Sequence, residues 1–292
     1  VNLQWPEWAL AGERAAARRG LRRLLARCRL ARALGHRILL TVHNTRGHDV
    51  PHPALERVMW RSLALLATHL HTFTAAGAAE FVREVPAARR LVRVVIPHGD
   101  YRPVVGPVPD RSAARRRFGL EPRERVLLTF GRLRPYKGLD AVLDAFTAGT
   151  DPHERLLLCG APEDEDTAEH LRAAARRDPR IVLVPRFLAQ EELTAAVTAA
   201  DAVVLPYRRV TNSGSALMAL TLGRPVLLPA TPVFEELRQR VGADWVHLVP
   251  GRLEPQHLRA ATAVGAQREA GAGPDLSWCS WDAVSVRLAA LL

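Results

Sequence analysis

Short runs rich in Val, Ile and Leu alternate with longer stretches of helical periodicity over most of the 292 residues. This alternation is typical of βα units, in which helices cover both faces of a parallel sheet. The sequence therefore predicts an α/β fold with mostly parallel sheets. The predicted strands are Ile38–Val42, Leu70–Phe73, Val92–Ile96, Val126–Phe130, Leu156–Cys159, Ile181–Val184, Ala202–Leu205, Val226–Leu228 and Trp245–Leu248.

A proline-rich stretch interrupts this alternation. Residues 97–109 contain four prolines and two glycines with little periodicity, which indicates a linker between two domains. We predict an N-terminal domain at residues 1–103, completed by a C-terminal helix at 281–292, and a C-terminal domain at 104–280. Only three or four strands precede the linker, and residues 1–8 resemble the end of a buried strand, so we expect the first domain to lack its opening strands.

The net charge of +11 raises the question of nucleic-acid binding. The arginines are scattered through the predicted helices, and no aromatic residues alternate with a basic stripe, so we expect no nucleic-acid partner. The charge fits better with solvated helix faces and with anionic ligands or lipids. The basic amphipathic stretch Ala9–Leu34 either packs on its own sheet or contacts an anionic membrane as a peripheral helix.

Other features concern the cellular compartment. No apolar run approaches the roughly 18 residues that a membrane-spanning helix requires. The three cysteines form no C-x-x-C pair and have no histidines at metal-ligand spacing, which predicts neither a disulfide framework nor a metal site. We expect a cytoplasmic protein, with the inner face of the cell membrane as a second location.

A single lysine stands out among the basic residues. Of the 41 Lys and Arg residues, 40 are Arg, and the exception is Lys137. A lysine ammonium is a compact charge on a flexible stem, whereas an arginine guanidinium is planar, and the two are not interchangeable as ligands. Position 137 is therefore a candidate for a specific role.

Lys137 lies in the segment Thr129–Gly138, which follows a predicted strand and precedes a helix. Ligands of open α/β sheets bind at the carboxyl ends of strands. Gly131 permits a close backbone approach there, and Arg132 and Lys137 supply two cations. The segment predicts a site for a diphosphate, with a solvated surface turn as the alternative.

A second segment ends another strand and enters a helix. Ser213, Gly214 and Ser215 stand at this predicted helix start, where free N–H groups and the helix dipole favour an anion. We expect them to contact the same diphosphate, although helix capping alone also explains the serines.

Together these segments resemble group 1 (family 4) glycosyltransferases of the GT-B architecture. The similarity rests on Gly-Arg-Leu and Lys-Gly at residues 131–138, on Asp-Ala-Val-Val-Leu-Pro at 201–206 and on Gly-Arg-Pro-Val at 223–226, with Val-Ile-Pro-His-Gly at 95–99. It extends over nearly the whole chain from His43 onward. It implies two doubly wound Rossmann-like domains that face each other across a cleft.

The resemblance also implies a function. Residues matching Arg132 and Lys137 bind the donor diphosphate in that family, usually without a metal, and this sequence has no D-x-D motif. We expect a metal-independent, retaining transfer of a hexose, of the mannose or glucose type, from a UDP- or GDP-sugar, with no other cofactor. The acceptor would be a glycan, a glycolipid or another carbohydrate, lipid-linked or small molecule.

One departure from the family concerns its paired glutamates. The matching positions are Val210 and Met218, so Thr211, Asn212 and Ser213 would provide neutral hydrogen bonds instead. This places the chain in a divergent branch and leaves the sugar and the anomeric outcome open.

Further candidates follow other strands. His43 matches a family histidine at a strand end and would act on the sugar or acceptor, with Asn44 and His48 nearby in sequence. Arg186 and Phe187 match the place where the nucleobase is held. His98, Gly99 and Tyr101 lie where they would face the cleft, although Pro97 and Gly99 fit better as residues that shape the turn. Trp278 and Trp281 are expected to be packing anchors.

Two alternatives remain. A nucleotide-sugar epimerase of the same architecture would share the diphosphate site but needs acid and base carboxylates, which no motif places here. A non-catalytic binder of nucleotide sugars or of nucleic acid is the other. A dehydrogenase is not indicated, because no G-x-G-x-x-G opens a βα unit.

Overall fold

The computed structural model describes residues 1–44, 51–149, 151–267 and 271–291. It divides into two compact units, one formed by residues 1–98 with 284–292 and the other by residues 99–283. Each unit contains one parallel sheet, as the alternating pattern of the sequence predicts.

The first unit is built on a four-stranded parallel sheet. Its strands are β1 (Asn2–Leu3), β2 (Leu39–Thr41), β3 (His69–Thr72) and β4 (Val92–Val95), in the spatial order β1-β2-β3-β4. Its helices are α1 (Arg14–Ala33), α2 (Pro53–Leu66) and α3 (Ala75–Glu84), with 3₁₀ turns at Pro6–Leu10 and Pro86–Arg90. The core joins Leu21, Leu24 and Leu25 of α1 to Leu40 and Leu70 of the sheet.

Helix α1 therefore packs on its own sheet. Its buried residues are Ala17, Leu21, Leu24, Leu25 and Cys28, which recur at helical spacing. The same helix carries eight arginines, all exposed, at positions 14, 18, 19, 22, 23, 27, 29 and 32. The packing interpretation of this stretch is confirmed, and its outer face is strongly cationic.

The second unit is built on a six-stranded parallel sheet. Its strands are β5 (Arg125–Phe130), β6 (Glu154–Cys159), β7 (Ile181–Val184), β8 (Ala202–Val204), β9 (Val226–Pro229) and β10 (Val246–Val249), in the order β10-β9-β8-β5-β6-β7. Its helices are α4 (Arg111–Arg117), α5 (Leu139–Thr147), α6 (Glu165–Arg177), α7 (Gln190–Ala199), α8 (Gly214–Thr221), α9 (Pro232–Val241) and α10 (Pro255–Ala266), with 3₁₀ turns at Pro135–Lys137 and Ser277–Cys279. Helix α11 (Trp281–Ala289) begins in this unit and ends in the first.

The strand order of the second unit reverses between β5 and β8. In open α/β sheets this reversal opens a crevice outside the carboxyl ends of the two strands, where ligands bind. The segment after β5 contains Gly131 and Lys137, and the segment after β8 leads to Ser213. The topology thus brings the two predicted diphosphate segments to one edge of the sheet.

The opposite ends of β5 and β8 are held together by a buried aspartate. A side-chain oxygen of Asp201, which directly precedes β8, accepts a hydrogen bond from the backbone N–H of Val126 at 2.6 Å. The same carboxylate is paired with Arg115 at 3.0 Å and with Arg111. This cluster fixes the relative position of the strands at the edge remote from the predicted site.

None of the described helices has the length and apolar character needed to span a membrane. All three cysteines are buried and free. Trp281 anchors the start of α11, since its Nε1–H donates to the carbonyl of Asp100 at 2.9 Å and a side chain at Gly99 would overlap its ring.

Candidate functional site

The turn that follows β5 is shaped by two glycines. Gly131 has a φ of +88° and Gly138 a φ of +73°, both in the left-handed region that side chains disfavour. Between them, Leu133 is fully buried and the 3₁₀ turn Pro135–Lys137 leads into α5. The turn is therefore a fixed feature of the fold, and it directs Lys137 back toward the end of β5.

Lys137 is buried at the end of this turn, with only 5% of its surface exposed. Its Nζ donates a hydrogen bond to the carbonyl of Phe130 at 2.9 Å. Burial, and to a lesser extent the nearby Arg134 guanidinium, lowers the pKa of Lys137 from 10.5 to about 8. Within the described ranges no carboxylate forms an ion pair with this ammonium, so its charge is uncompensated by the protein there.

The ammonium lies beside the backbone of Gly131. A Cβ added at Gly131 would lie 2.8 Å from Lys137 Nζ and 3.7 Å from the side-chain oxygen of Ser215. One lysine from the turn after β5 and one serine from the first turn of α8 therefore border the same small space. Because Gly131 has no side chain, this space is open, and a cation and a hydroxyl border it. An anionic oxygen placed there could accept hydrogen bonds from both groups.

Gly138 and a further glycine, Gly160, keep the neighbouring backbones close. A side chain at Gly160, directly after β6, would overlap the carbonyl of Gly131, and one at Gly138 would overlap the carbonyl of Pro206. The segments that follow β5, β6 and β8 are thus in backbone contact at the carboxyl edge of the sheet.

Helix α8 presents its N-terminus at this edge. The side-chain oxygen of Ser213 accepts a hydrogen bond from the backbone N–H of Ala216 at 3.1 Å, so Ser213 is the N-cap. Its oxygen also lies 2.8 Å from the hydroxyl of Tyr207. Burial raises the pKa of Tyr207 to about 12, and its hydrogen bonds to Ser213 and Ser215 act in the opposite direction. Ser213 is therefore engaged in building the helix start, whereas Ser215 borders the space near Lys137.

Tyr207 and Tyr101 are the residues of this edge that the sequence interpretation did not assign to the diphosphate site. A side chain at Gly214 would overlap the hydroxyl of Tyr101, which places that hydroxyl against the first residue of α8. Burial raises the pKa of Tyr101. In the sequence, Tyr207 is marked only by its position two residues after the predicted strand end at Leu205.

The other cations near the turn differ in how they are paired. Arg134 forms an ion pair with Glu163 at 3.1 Å, and Arg208 forms one with Asp140 at 3.2 Å. Arg132 is exposed, and among the described residues it makes no hydrogen bond or ion pair. Its guanidinium is thus available to a ligand but is not positioned by the protein.

Two more predicted residues, Thr211 and Asn212, follow β8 in the chain, and Met218 lies in α8. Thr211 is buried, Asn212 is half-buried, and Met218 is buried inside α8 with 3% of its surface exposed. Because Met218 belongs to the hydrophobic interior, the family carboxylate at this position is replaced by a packing residue.

Arg186 and Phe187 follow β7. The guanidinium of Arg186 makes two hydrogen bonds of 2.8 Å to the carboxylate of Glu192, so it is already paired. Phe187 is 81% exposed, which leaves its ring open to stacking. Among the described residues, neither Arg186 nor Phe187 borders the space beside Gly131.

In the first unit, His43 lies two residues after the end of β2 and is held by its neighbours. Its ring stacks on Trp5 with centroids 3.9 Å apart, and its Nε2 lies 3.2 Å from the amide oxygen of Gln4. Burial lowers the pKa of His43 to about 4, with His71 and His98 as further causes. His43 is thus a neutral imidazole at physiological pH. Asn44 follows it and is half-buried, and the predicted residue His48 lies outside the described residues.

No group of three or more His, Cys, Asp or Glu side chains arranged to hold a metal ion occurs in the part of the chain that the structure describes. Among the described residues, the charged group that borders Gly131 is the Lys137 ammonium, and a cation there suits an anion.

Comparisons with known proteins agree with this chemistry. Residues 124–263 match the family model described as Glycosyl transferases group 1. The GDP-mannose:glycolipid 4-beta-D-mannosyltransferase of Xanthomonas campestris pv. campestris is 34% identical over 155 residues, which cover 53% of this chain and 44% of that protein. The D-inositol 3-phosphate glycosyltransferase of Rhodococcus jostii is 29% identical over 191 residues, 61% of this chain and 41% of that protein. The match thus spans less than half the length of either relative.

Solved structures extend the likeness beyond residues 124–263. Alr3699/HepE of Anabaena, solved with UDP and with UDP-glucose, gives a TM-score of 0.70 at 17% identity and covers 93% of this chain and 76% of that one. Sucrose-phosphate synthase of Thermosynechococcus elongatus gives 0.66 at 19% identity, with 90% and 69% covered. These likenesses show the fold, which is the predicted GT-B fold.

Proposed function

We propose that the chain transfers a hexose from a nucleoside diphosphate to an acceptor, and the match of residues 124–263 to the model of group 1 glycosyltransferases supports this proposal. The donor is a GDP- or UDP-sugar of the mannose or glucose type, and the acceptor is a glycan, a glycolipid or a small molecule. The names of the relatives support this range, since they include a GDP-mannose-dependent enzyme that acts on a glycolipid.

The observation that carries the proposal is the buried ammonium of Lys137 beside Gly131 and Ser215. A buried cation without an anionic partner is costly, and sites that keep such a charge commonly use it on a ligand. A diphosphate supplies the missing negative charge and enough oxygens for the ammonium, the Ser215 hydroxyl and the N–H groups of α8.

In the proposed reaction the bond between the anomeric carbon and the diphosphate oxygen breaks, and negative charge grows on the departing diphosphate. Lys137, Ser215 and the N-terminus of α8 are fixed in advance at the edge where that charge develops, and Arg132 joins them from the solvent side. Preorganised cations and dipoles of this kind stabilise the transition state more than the ground state.

For the transferred sugar we assign retention of configuration. The acceptor oxygen forms its bond on the face that the diphosphate leaves, and the acceptor proton passes to the departing phosphate oxygen. Proton NMR of the product distinguishes this outcome from inversion. The name of the Xanthomonas relative specifies a β linkage. If this chain forms a β-linked product from an α-linked donor, the reaction inverts the configuration, and the assignment of retention is wrong.

The remaining predicted residues have supporting roles in this proposal. Thr211 and Asn212 offer neutral hydrogen bonds to the donor sugar or ribose in place of the family glutamates. Phe187 stacks on the base, beside Arg186. In the first unit, His43, neutral and fixed by stacking, orients the acceptor or the transferred sugar, and Asn44 follows it in the chain.

Calorimetric titration with GDP, UDP, ADP and dTDP tests the diphosphate site. We expect one or two of these nucleotides to bind the wild type, and Lys137→Ala to weaken binding about tenfold to a hundredfold, because a charged hydrogen bond contributes about 1.5–3 kcal/mol. Arg252→Gln is the matched control, since Arg252 is a cation of the same unit with 78% of its side chain exposed. Equal effects of both substitutions, or no effect of Lys137→Ala, would contradict the site.

A peripheral contact with an anionic membrane also belongs to this proposal, at the cytoplasmic face of the membrane. The eight exposed arginines of α1 support it, because each basic residue near an anionic surface contributes about 1 kcal/mol. Sedimentation with phosphatidylglycerol vesicles is expected to remove the protein from solution at low salt, and phosphatidylcholine vesicles are expected to leave it there. Equal behaviour in both vesicles would exclude this contact.

A further inference from the structure

Trp5 has an unusual backbone conformation. Its φ of +51° and ψ of +48° are left-handed, and it is the single non-glycine residue with positive φ among the described residues. This conformation costs about 1–2 kcal/mol for a residue with a side chain. The next residue is Pro6, and the residue before a proline is normally extended. A strained residue of this kind persists only where the surrounding structure holds it, and it marks a candidate functional position.

The 3₁₀ turn Pro6–Leu10 holds the backbone of Trp5 in place. Ala9 and Leu10 at the end of that turn are buried, and the backbone N–H of Trp8 donates to the carbonyl of Trp5 at 3.2 Å. The turn lies directly on α1, because a side chain at Gly20 would overlap the carbonyl of Ala9. The direction of the indole is thus set by a turn that is anchored in the core.

The indole of Trp5 is stacked and exposed at the same time. It lies on the imidazole of His43 with an interplanar angle of 15°, yet 52% of the Trp5 surface is exposed. The stacking on His43 covers one face of the ring, and the exposed part of Trp5 is open to a ligand. A large aromatic ring that is rigid and half exposed is a binding platform rather than a core residue.

The surroundings of this platform are aromatic and hydrogen-bonding. Phe73, directly after β3, lies 5.0 Å from His43 between ring centroids and 5.9 Å from His98. Gln4 fixes the Nε2 side of His43. Burial keeps the pKa of His43 near 4, so the stacked pair carries no charge at neutral pH. An apolar face bordered by neutral polar groups matches a pyranose ring, whose C–H face is apolar and whose edge carries hydroxyls.

We infer that Trp5, supported by His43, is the stacking platform for a pyranose ring of the acceptor. This inference rests on the proposed transferase function and narrows it: the acceptor is a saccharide, free or lipid-linked, and a simple polyol is a poor substitute. Trp5 is a positioning and specificity-determining residue that contacts the acceptor ring. Its strained backbone sets the direction of the indole.

Two readouts separate this inference from the proposed function. Hydrolysis of GDP-mannose and UDP-glucose in water reports the donor site without any saccharide acceptor. Saturation-transfer NMR with methyl α-D-mannoside, methyl β-D-glucoside and cellobiose reports saccharide binding, and glycerol serves as the polyol comparison. Trp8→Ala is the matched control, because Trp8 is 56% exposed in the adjacent turn and has no stacking partner among the described rings.

We expect Trp5→Ala to weaken saccharide binding, or to raise the acceptor KM, about threefold to tenfold, which is the range for losing an aromatic contact. Donor hydrolysis and donor KM should stay unchanged, Trp5→Phe should be intermediate because it keeps a ring, and Trp8→Ala should match the wild type. Trp5→Phe also keeps the test valid if the alanine variant does not fold.

Several results would overturn the platform. The first is a wild type that hydrolyses the donor but binds none of the saccharides, and the second is an equal loss of saccharide binding in Trp5→Ala and Trp8→Ala. The third is an effect of Trp5→Ala on the donor KM alone. The fourth is transfer to glycerol that is as efficient as transfer to saccharides. By contrast, a wild type that neither binds nucleotides nor hydrolyses any donor would remove the proposed function itself.

Discussion

At the scale of single residues, the absence of a side chain at Gly131 is as important as the presence of Lys137. We predict that Gly131→Ala abolishes or strongly weakens nucleoside diphosphate binding. The new methyl group would lie 2.8 Å from Lys137 Nζ and would occupy the space that Ser215 borders. Calorimetric titration with the nucleotide that binds the wild type measures the loss.

Gly119→Ala provides the control for this substitution. Gly119 also belongs to the second unit and has a φ of +67°, but a Cβ there would have no neighbour within 4 Å. Both variants suffer the same left-handed strain of about 1–2 kcal/mol, whereas only Gly131→Ala fills the site. If the two variants lost the same affinity, the effect would be one of backbone strain and the space beside Gly131 would not be the site.

The burial of Lys137 gives a second residue-scale prediction. Its pKa in the folded state, about 8, is lower than the ordinary 10.5, so the unfolded state binds the proton more tightly. The buried ammonium therefore lowers the free energy of unfolding by its full amount below pH 8. This destabilisation disappears as the pH rises toward 10.5. We expect Lys137→Met to raise the free energy of unfolding of the ligand-free protein by up to about 3 kcal/mol at pH 7, with a gain that shrinks from pH 8 to 10.

Urea unfolding of wild type and Lys137→Met at several pH values measures this difference directly, since groups common to both proteins cancel. Arg252→Met, which removes an exposed cation, should show no comparable pH dependence. A gain for Lys137→Met that is constant with pH would mean that the ammonium is not destabilised by burial. The expected combination of higher stability and lost binding is the usual sign of a functional charge.

Lys137 and Tyr207 show what sequence alone can and cannot predict at this scale. Lys137 could be found because it is the sole lysine in an arginine-rich chain and follows a strand at a glycine turn. Tyr207 could not be assigned to the helix start, because its contact with Ser213 depends on how the loop after β8 folds back. Trp5 is a similar case, since neither its left-handed backbone nor its stacking on His43, 38 positions away, is visible in a pattern.

At the scale of secondary-structure elements, the start of α8 depends on its cap. We predict that Ser213→Ala lowers the free energy of unfolding by about 0.5–2 kcal/mol, the range for losing an N-cap hydroxyl. It also weakens nucleotide binding, because Tyr207 loses its partner and the first turn with Ser215 loosens.

Asp164→Ala is the matched control for this element. Asp164 caps α6 by accepting a hydrogen bond from the backbone N–H of Thr167 at 2.8 Å. We expect a comparable stability loss, measured by urea unfolding, with unchanged nucleotide affinity. Equal affinity losses in the two capping variants would show that α8 has no special part in binding.

The elements themselves were largely predictable, because buried parallel strands and amphipathic helices have strong periodic patterns. All nine predicted strands occur, and helix α8 begins at Gly214, within the predicted helix start at residues 213–215. The 3₁₀ turns Pro6–Leu10 and Pro135–Lys137 were not predicted, since so few residues leave no periodicity and only the leading proline marks them. Both turns nevertheless fix the side chains that matter most, Trp5 and Lys137.

At the scale of the whole molecule, the strand order decides which segments meet. Sequence periodicity predicts strands but not their neighbours, and the order β10-β9-β8-β5-β6-β7 brings the segments after β5 and β8 together although about 70 residues separate them. The resemblance to GT-B transferases anticipated this arrangement, and the fold is confirmed by the solved structures. The contacts of Lys137 and Ser215 around Gly131 follow from that order.

This placement predicts where a nucleotide protects the chain as a whole. Hydrogen exchange followed by mass spectrometry should show slower exchange in peptides covering residues 130–138 and 206–216 when the nucleotide is bound. At a ligand concentration of 100 times Kd, amides that exchange only from the free form should slow about a hundredfold. Peptides covering α1 and α10 serve as internal references, because neither helix contributes a residue to the space beside Gly131. In Lys137→Ala, the protection of these two segments should disappear, while exchange in the reference peptides stays unchanged. Protection spread evenly over all peptides, or confined to residues 1–98, would place the diphosphate away from Lys137.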